Sequence, residues 1–133
     1  MKHGSLFSGI GGFELAAQWC RWQNVWSCEK DEHARKVLQK NFGPEHVIYD
    51  DIYNLNYPEH VDVISGGFPC QPFSVAGKRQ GTNDDRYLWP QMLRIIREVR
   101  PTWVVAENVG GLVTMQRGMV LEQVHASMEG AGY

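Results

Sequence analysis

The sequence has few cysteines and no long apolar run, and both absences narrow the class of protein. Cys20, Cys28 and Cys70 are the only cysteines in 133 residues. Their spacings match neither paired CxxC metal ligands nor a disulfide framework, so we expect free thiols and no metal site. No apolar run approaches the roughly 18 to 20 residues that cross a bilayer, and the N-terminus has no signal-peptide pattern. These absences predict a cytoplasmic location and no membrane partner.

The chain also lacks internal repeats, low-complexity tracts and a strong net charge. A length of 133 residues with 43% hydrophobic and 21% charged residues is typical of one globular domain. The formal net charge of -2 does not by itself indicate a nucleic-acid partner, because such domains are often strongly basic. Basic residues outnumber acidic ones in residues 71–100, where we assign Arg94 and Arg97 to the solvated face of a helix. The better candidates for contact with an anion are Lys78, Arg79 and Arg86.

Short apolar segments alternate with helical patterns along the chain. The predicted strands cover residues 5–7, 25–28, 47–49, 61–65 and 103–106. The predicted helices cover residues 13–22, 31–42, 89–99 and 119–128, with Asp31 as an N-cap and Pro90 in a first turn. Strands separated by helices favour a parallel sheet that is covered on both faces and connected right-handedly. The pattern therefore predicts an α/β fold.

Polar or glycine-rich residues follow every predicted strand. In chain order they are the turn Gly9-Ile10-Gly11-Gly12, then Glu29, Asp51, Cys70 and the pair Glu107-Asn108. In parallel α/β sheets the ligand lies beyond the carboxyl ends of the strands, near the point where the strand order reverses. Five such strand ends predict a single site at one edge of the sheet.

The first two strand ends indicate an adenosine-bearing ligand. Glu29 lies 20 residues beyond Gly9, where an acid commonly hydrogen-bonds ribose hydroxyls. No GK[ST] follows the glycine turn and Glu14 occupies the first helical turn, which disfavours a triphosphate and favours a neutral or cationic ligand. The alternative for the glycine turn is a purely structural role, because tight packing of a helix against a strand explains many such turns. Asp51 either accepts from an adenine amino group or caps a turn, and the residues leave both possibilities open.

Cys70 stands between two prolines, directly after an apolar segment that is typical of a buried strand. Pro69 and Pro72 stiffen the backbone on both sides of the thiol. Gly66 and Gly67 permit close approach of another molecule. The alternative is a rigid turn around an inert cysteine, because cysteine is among the most often buried residue types.

The motifs together resemble those of the DNA (cytosine-5)-methyltransferases. FSGIGG, Glu29, Asp51-Ile52, GGFPCQPFS and the ENV at 107–109 occur in the order and spacing of that family. The resemblance covers essentially the whole chain. It implies a Rossmann-like methyltransferase fold with strand order 3-2-1-4-5 and S-adenosylmethionine as methyl donor. It also implies a partner, double-stranded DNA with a flipped cytosine.

The resemblance implies a role for each matching residue. Cys70 would be the nucleophile that adds to C6 of cytosine, Glu107 the carboxyl group at N3 and the exocyclic amine, and Asn108 a support for both loops. Lys30 departs from the family, which often has an apolar aromatic residue there. The expected cofactor contacts are Phe7, Ser8, Gly9, Ile10, Gly11, Gly12, Glu29, Lys30, Asp51, Ile52, Gly67, Pro69 and Leu88. The expected DNA contacts are Gln71, Ser74, Lys78 and Arg79, although Gln71 and Ser74 also suit solvent-facing turn positions.

The resemblance further predicts a partial catalytic domain over residues 1–133, truncated before the final strands and without a target-recognition domain. Strand five would then be an exposed edge that pairs with a C-terminal complementing segment or with a second copy. We expect weak cofactor binding and little DNA methylation by the chain alone, in a prokaryotic or phage context.

Other functions remain open at this stage. One is a non-catalytic nucleotide-binding remnant, and a second is one part of a split methyltransferase. A third is a cysteine hydrolase that uses Cys70 with a histidine, although no histidine stands at a strand end that faces Cys70.

Overall fold

The computed structural model describes residues 1–69 and 87–133, which alternate strands and helices. The strands are β1 (Lys2–Leu6), β2 (Gln23–Cys28), β3 (Val47–Tyr49), β4 (Val63–Gly67) and β5 (Trp103–Glu107). The helices are α1 (Gly12–Trp19), α2 (Glu32–Phe42), α3 (Trp89–Val99) and α4 (Met119–Glu129). Two short 3-10 turns, Gly110–Val113 and Met115–Gly118, lead from β5 to α4.

All five strands are parallel and lie in the order β3-β2-β1-β4-β5, which confirms the predicted order. Leu6 at the end of β1 pairs with Cys28 of β2 and with Gly66 of β4. Gly67 of β4 pairs with Glu107 of β5. The order reverses between β1 and β4, so the carboxyl ends of all strands meet at one edge around that crevice.

One face of the sheet carries the main hydrophobic core. Leu6, Trp26 and Ile64 from the strands pack with the apolar residues of α3 and α4. The indole N–H of Trp89 donates to Ser127 Oγ at 2.9 Å and ties α3 to α4. Pro90 occupies the first turn of α3, as predicted, and the helix buries Trp89, Met92, Leu93, Ile95, Ile96 and Val99.

The opposite face, under α1 and α2, contains a buried polar network. Glu14 in the first turn of α1 is fully buried, and its Oε1 accepts from Ser27 Oγ of β2 at 2.6 Å. Since Ser27 has one hydroxyl proton and donates it to Glu14, His46 Nε2 must donate to Ser27 Oγ across 2.7 Å. A further bond, from Asn24 Nδ2 to the Glu14 carbonyl at 2.9 Å, holds α1 against β2.

His3 belongs to the same layer and is held in one tautomer. Because Asn24 uses its amide N–H on Glu14, its Oδ1 accepts from His3 Nδ1 at 2.7 Å. His3 Nε2 then accepts from Ser65 Oγ at 2.8 Å. Burial lowers the pKa of both His3 and His46. The hydrogen bond to Asn24 offsets part of this shift for His3, and the Glu14 charge offsets part of it for both histidines. Both rings are therefore neutral when the fold is intact at neutral pH.

We expect the free energy of unfolding to fall as the pH drops below about 6.5, the ordinary histidine pKa. In that range the unfolded chain binds protons at His3 and His46, whereas the folded chain resists protonation because both pKa values are lowered. The unfolded state is then favoured by acid, and stability rises again with pH. Urea unfolding at about pH 5 and about pH 7.5 measures this difference.

A His46→Gln variant keeps a donor for Ser27 but does not titrate, so its stability should depend less steeply on pH. His60→Gln is the control, because His60 is exposed. Equal pH dependence of the His46→Gln variant and the unsubstituted chain would contradict this explanation.

The structure corrects several predicted boundaries. The first strand begins at Lys2 and ends before Phe7, whose positive φ of 54° breaks the extended path. Helix α1 ends at Trp19, three residues early, because Arg21 takes a φ of 58° and its amide turns back to the Gln18 carbonyl. The fourth strand spans Val63–Gly67, since its last glycine still pairs with β5.

Strand β5 pairs with β4 and has no second partner within the described ranges. Its side chains are largely exposed, including Trp103 and Val105. Across residues 1–69 and 87–133, no helix combines the length and the apolar character needed to span a membrane.

Candidate active site

The glycine turn after β1 needs backbone conformations that side chains disfavour. Gly9 and Gly11 have φ values of 55° and 99°. A Cβ on Gly11 would lie 2.5 Å from Cε2 of Phe42, far inside van der Waals contact. Phe7 adopts a φ of 54° although it is not glycine, a strained conformation of the kind found at functional sites.

Glu29, directly after β2, is fixed by backbone amides at both oxygens. Its Oε2 accepts from Gly9 N at 2.7 Å, and its Oε1 accepts from Asp31 N at 2.8 Å. The carboxylate therefore joins the glycine turn to the start of α2. Each oxygen retains a lone pair that can accept from a ligand hydroxyl.

A cavity of about 250 Å³ opens beside Glu29 at the carboxyl edge of the sheet. Its lining residues are Phe7, Cys28, Glu29, Lys30, Asp51, Ile52, Tyr53, Pro69 and Leu88. Seven of these nine are expected cofactor residues. Cys28 and Tyr53 were not expected, and Tyr53 is about half exposed. The wall combines apolar side chains with two carboxylates and one lysine, so acidic groups outnumber basic ones and the composition suits a nucleoside without phosphates.

The sequence left two roles open for Asp51, turn cap and adenine acceptor, and its position in the structure is compatible with both. Its Oδ1 accepts from Tyr53 N at 2.9 Å, and its carbonyl accepts from the amides of Asn54 and Leu55, so it caps the turn after β3. Within the described residues, only Oδ1 is engaged in this way. No donor from residues 1–69 or 87–133 engages Oδ2, which can accept from a ligand in the cavity.

The cysteine inside this cavity is inert. Burial, followed by the negative charges of Asp51 and Glu29, raises the pKa of Cys28 to about 12. Its thiol is protonated at physiological pH, and a protonated thiol is not a nucleophile. Cys28 therefore supplies neutral surface to the cavity wall.

A second, more open cleft lies on the other side of Phe7. It is lined by Phe7, Ser8, Ile10, Gly12, Phe13, Ala16, Gly67 and Glu107. Phe7 lines both spaces, so they meet at that residue. Gly9 and Gly11 line neither of them, and their role is to shape the turn. The Ser8 hydroxyl donates to Ser5 Oγ at 2.9 Å, which anchors the turn to β1.

Glu107 and Asn108 lie at the end of β5, close to the end of β4. A Cβ on Gly67 would lie 2.9 Å from Glu107 Oε2, so the carboxyl group passes directly over this glycine. Asn108 Nδ2 donates to the Phe68 carbonyl at 2.7 Å, and its Oδ1 accepts from Val109 N. Asn108 thus ties the loop after β5 to the loop after β4.

Five of the expected site residues lie outside the described ranges. They are Cys70, Gln71, Ser74, Lys78 and Arg79. Arg86, the third candidate for contact with an anion, also lies outside these ranges. The described residues on either side meet, because Leu88 N donates to the Pro69 carbonyl at 3.4 Å and the rings of Phe68 and Trp89 pack with centroids 5.0 Å apart.

Comparison with known proteins assigns this arrangement of strand ends to a family. The sequence model of the C-5 cytosine-specific DNA methylases matches residues 1–133. The chain belongs to that family. This confirms the resemblance inferred from the motifs, over the whole of the chain.

Individual relatives of this DNA methylase chain are longer than it is. The type II methyltransferase M.HhaI of Haemophilus parahaemolyticus is 40% identical over 134 aligned positions, which cover 96% of this chain and 39% of M.HhaI. M.HpaII of Haemophilus parainfluenzae is also 40% identical, with 37% of its length covered. The chain therefore spans about two fifths of the length of these relatives.

Solved structures agree with the methylase fold. A prophage-encoded DNA modification methyltransferase from Escherichia coli superposes with a TM-score of 0.77 at 27% identity, covering 98% of this chain and 38% of that one. A DNMT2 mutant from Spodoptera frugiperda superposes with a TM-score of 0.74 at 26% identity, and the match covers 96% of this chain and 40% of that one. These neighbours have the S-adenosylmethionine-dependent methyltransferase fold predicted above.

Three residues at or beside the first cavity escaped the sequence argument: Cys28 and Tyr53, which line it, and Arg94, which does not. Tyr53 stands two positions after Asp51, and the only signal for it was its place in the same turn. Arg94 was assigned to a solvated helix face, and this was wrong. It is half-buried, and its guanidinium donates to the carbonyls of Ile52 at 2.6 Å and Leu55 at 2.9 Å.

Proposed function

We propose that this chain carries the S-adenosylmethionine cleft and the catalytic edge of an enzyme that methylates C5 of cytosine in DNA. The observation that carries the proposal is the meeting of two spaces at Phe7 in a chain of the methylase family. One space has the carboxylates of Glu29 and Asp51, and the other has Glu107. A donor that reaches from the first space into the second would bring its methyl group near Glu107.

The residues of the first cavity fit the nucleoside end of S-adenosylmethionine. Glu29 accepts from the ribose hydroxyls, and the free oxygen of Asp51 accepts from the adenine amine. Phe7, Ile52 and Leu88 supply apolar surface to the base. When bound, S-adenosylmethionine supplies an electrophilic methyl group, and the surrounding carboxylates suit its positive charge.

Cys70 is the proposed nucleophile. C5 of cytosine is too weak a nucleophile to accept a methyl group, and addition of the Cys70 thiolate to C6 converts the ring to an enamine in which C5 is nucleophilic. After methylation, loss of the C5 proton to a base and breaking of the C6–S bond restore the aromatic ring and the thiolate. Free cysteine is mostly protonated at neutral pH, so the site must favour the anion.

Glu107 acts on the same ring from the end of β5, the strand next to β4. Its carboxyl group hydrogen-bonds N3 and the exocyclic amine, which stabilises the charge that develops when sulfur adds to C6. The bond from Asn108 to the Phe68 carbonyl supports this role, because it fixes the Glu107 loop to the segment that leads into Cys70.

The substrate is double-stranded DNA with the target cytosine flipped out, since C6 is inaccessible inside a base stack. Gln71, Ser74, Lys78 and Arg79 are the proposed DNA contacts. The relatives' type II methyltransferase names favour a restriction-modification role in a prokaryotic or phage context. Such a role places the protein in the cytoplasm with DNA.

Because the chain spans about two fifths of its relatives, we propose that it binds S-adenosylmethionine weakly and methylates little DNA alone. A complementing segment would pair with β5, where Trp103 and Val105 are exposed. Self-association through the same edge is the other arrangement. Residues 1–133 would then be a partial catalytic domain that needs a separate target-recognition domain.

Covalent capture on DNA that contains 5-fluorocytosine tests the function. Fluorine cannot leave C5 as a proton does, so an adduct between Cys70 and C6 is trapped. The chain is incubated with this DNA and S-adenosylmethionine, alone and together with the C-terminal remainder of M.HhaI. Capture that disappears in a Cys70→Ala variant is the expected result.

The test also separates the alternatives. Capture that occurs only when the C-terminal remainder of M.HhaI is present supports the hypothesis that this chain is one part of a split methyltransferase. S-adenosylmethionine binding without capture in either mixture contradicts the catalytic proposal and favours a nucleotide-binding remnant. A thiol that hydrolyses an ester but is never captured would indicate a cysteine hydrolase.

A further inference from the structure

The loop after β3 contributes three consecutive residues, Asp51, Ile52 and Tyr53, to the wall of the first cavity. Its own bonds are local, from the amides of residues 53–55 to Asp51. A short turn of this kind does not by itself fix its position relative to the sheet. Ile52 and Leu55 anchor the loop by burying their side chains in the core. The orientation of its backbone, and with it the Asp51 carboxylate, depends in addition on polar contacts from outside the loop.

Arg94 of α3 provides that attachment. Its Nη2 donates to the Ile52 carbonyl at 2.6 Å, and its Nη1 donates to the Leu55 carbonyl at 2.9 Å. The two bonds span the turn that Asp51 caps. The planar guanidinium holds two acceptors in a fixed relation, which a lysine ammonium does not do.

The guanidinium is itself held on the helix. Glu98, one turn later, accepts from Arg94 Nη1 at 2.8 Å, and Gln91 Oε1 accepts from Arg94 Nε at 3.0 Å. The second oxygen of Glu98 accepts from Tyr57 N at 3.1 Å, so the same pair also holds the end of the loop. The side chains of Arg94 and Glu98 are 29% and 18% exposed, which limits competition from water.

We propose that Arg94 is a positioning residue for base recognition, which holds the Asp51 turn so that its carboxylate meets the exocyclic amine of adenine. Arg94 acts through Ile52 and Leu55 and does not touch the ligand. The role rests on the proposed function, because it takes S-adenosylmethionine as the ligand of this cavity. It places part of the adenine specificity on α3, away from the cavity wall.

The readout is discrimination between two ligands. S-adenosylhomocysteine carries the adenine amine, whereas S-inosylhomocysteine carries an oxygen there and cannot donate to Asp51. Both dissociation constants are measured by calorimetry for the unsubstituted chain and for Arg94→Met, Arg94→Lys and Arg97→Met. Arg97→Met is the matched control, since Arg97 is exposed on the same helix. Urea unfolding of each variant is measured alongside.

Arg94→Met should weaken the binding of S-adenosylhomocysteine about tenfold and change the binding of S-inosylhomocysteine little, so the preference for adenine is lost. Arg94→Lys should retain part of the preference, and it keeps the test possible if Arg94→Met does not fold. Arg97→Met should match the unsubstituted chain. An unchanged ratio of the two dissociation constants in Arg94→Met and Arg94→Lys, even with lowered stability, would overturn the positioning role. Failure of the unsubstituted chain to bind either ligand would instead overturn the proposed function.

Discussion

Replacing Gly11 by alanine should lower the free energy of unfolding by about 3 kcal/mol, of which the left-handed backbone accounts for about 1 to 2 and overpacking for the rest. Gly11 has a φ of 99°, and its Cβ would lie 2.5 Å from the ring of Phe42 and 3.0 Å from Leu38. Leu38 is fully buried in α2, so the ring and the helix cannot both retreat. Urea unfolding measures the loss.

The same substitution should weaken S-adenosylmethionine binding more than tenfold, because a displaced turn removes the Gly9 amide from Glu29. Gly12→Ala is the control for stability alone, because Gly12 also lines the second cleft. A Cβ on Gly12 meets nothing within 4 Å, and Gly12 is the first residue of α1. Alanine should be neutral or stabilising by up to about 1 kcal/mol there. A Gly11→Ala chain as stable as the Gly12→Ala chain would show that the turn tolerates a side chain.

Glu107→Gln should slow covalent capture on 5-fluorocytosine DNA by about 100-fold or more, the usual contribution of a positioned acid. Glutamine keeps the shape and an acceptor for the exocyclic amine but cannot transfer a proton to N3. The assay is the one described above, in whichever mixture gives capture.

The affinity for S-adenosylmethionine should stay within about twofold, because Glu107 lies across Phe7 from the carboxylates that hold the nucleoside. Glu122→Gln, an exposed acid on α4, is the matched control and should leave capture unchanged. Equal capture rates for the two variants would remove Glu107 from the chemistry. A large loss of cofactor affinity in Glu107→Gln would mean that its effect is on binding.

The fold could be predicted from local signals where those signals agree. Helix α3 has the predicted bounds because Pro90 starts it and its apolar residues share one face. The Asp31 N-cap is confirmed by its 2.8 Å bond from Ala34 N. The early end of α1 was not predictable, because the left-handed Arg21 has no sequence signature. Likewise, pairing with β5 rather than any local pattern extends β4 to Gly67.

The site was predictable to the extent that it follows strand ends. Glu29 and Asp51 line one cavity because parallel strands deliver their carboxyl ends to one edge. Side chains that arrive from elsewhere were not predictable. Arg94 looked like a solvated helix residue, and only the tertiary structure shows that the 52–55 loop supplies its acceptors. The roles of Cys70, Glu107 and Asn108 stay predictions that the capture assay addresses.

Titration of the chain with S-adenosylmethionine, compared with its Glu29→Gln variant, tests the central claim most directly. Glu29 joins the glycine turn to α2 through its two oxygens, and under the proposed function the same oxygens accept from the ribose. We predict saturable one-site binding by the unsubstituted chain and affinity at least about tenfold weaker in the variant, the cost of a lost charged hydrogen bond. No binding by the folded chain, or equal binding by both, would contradict the account.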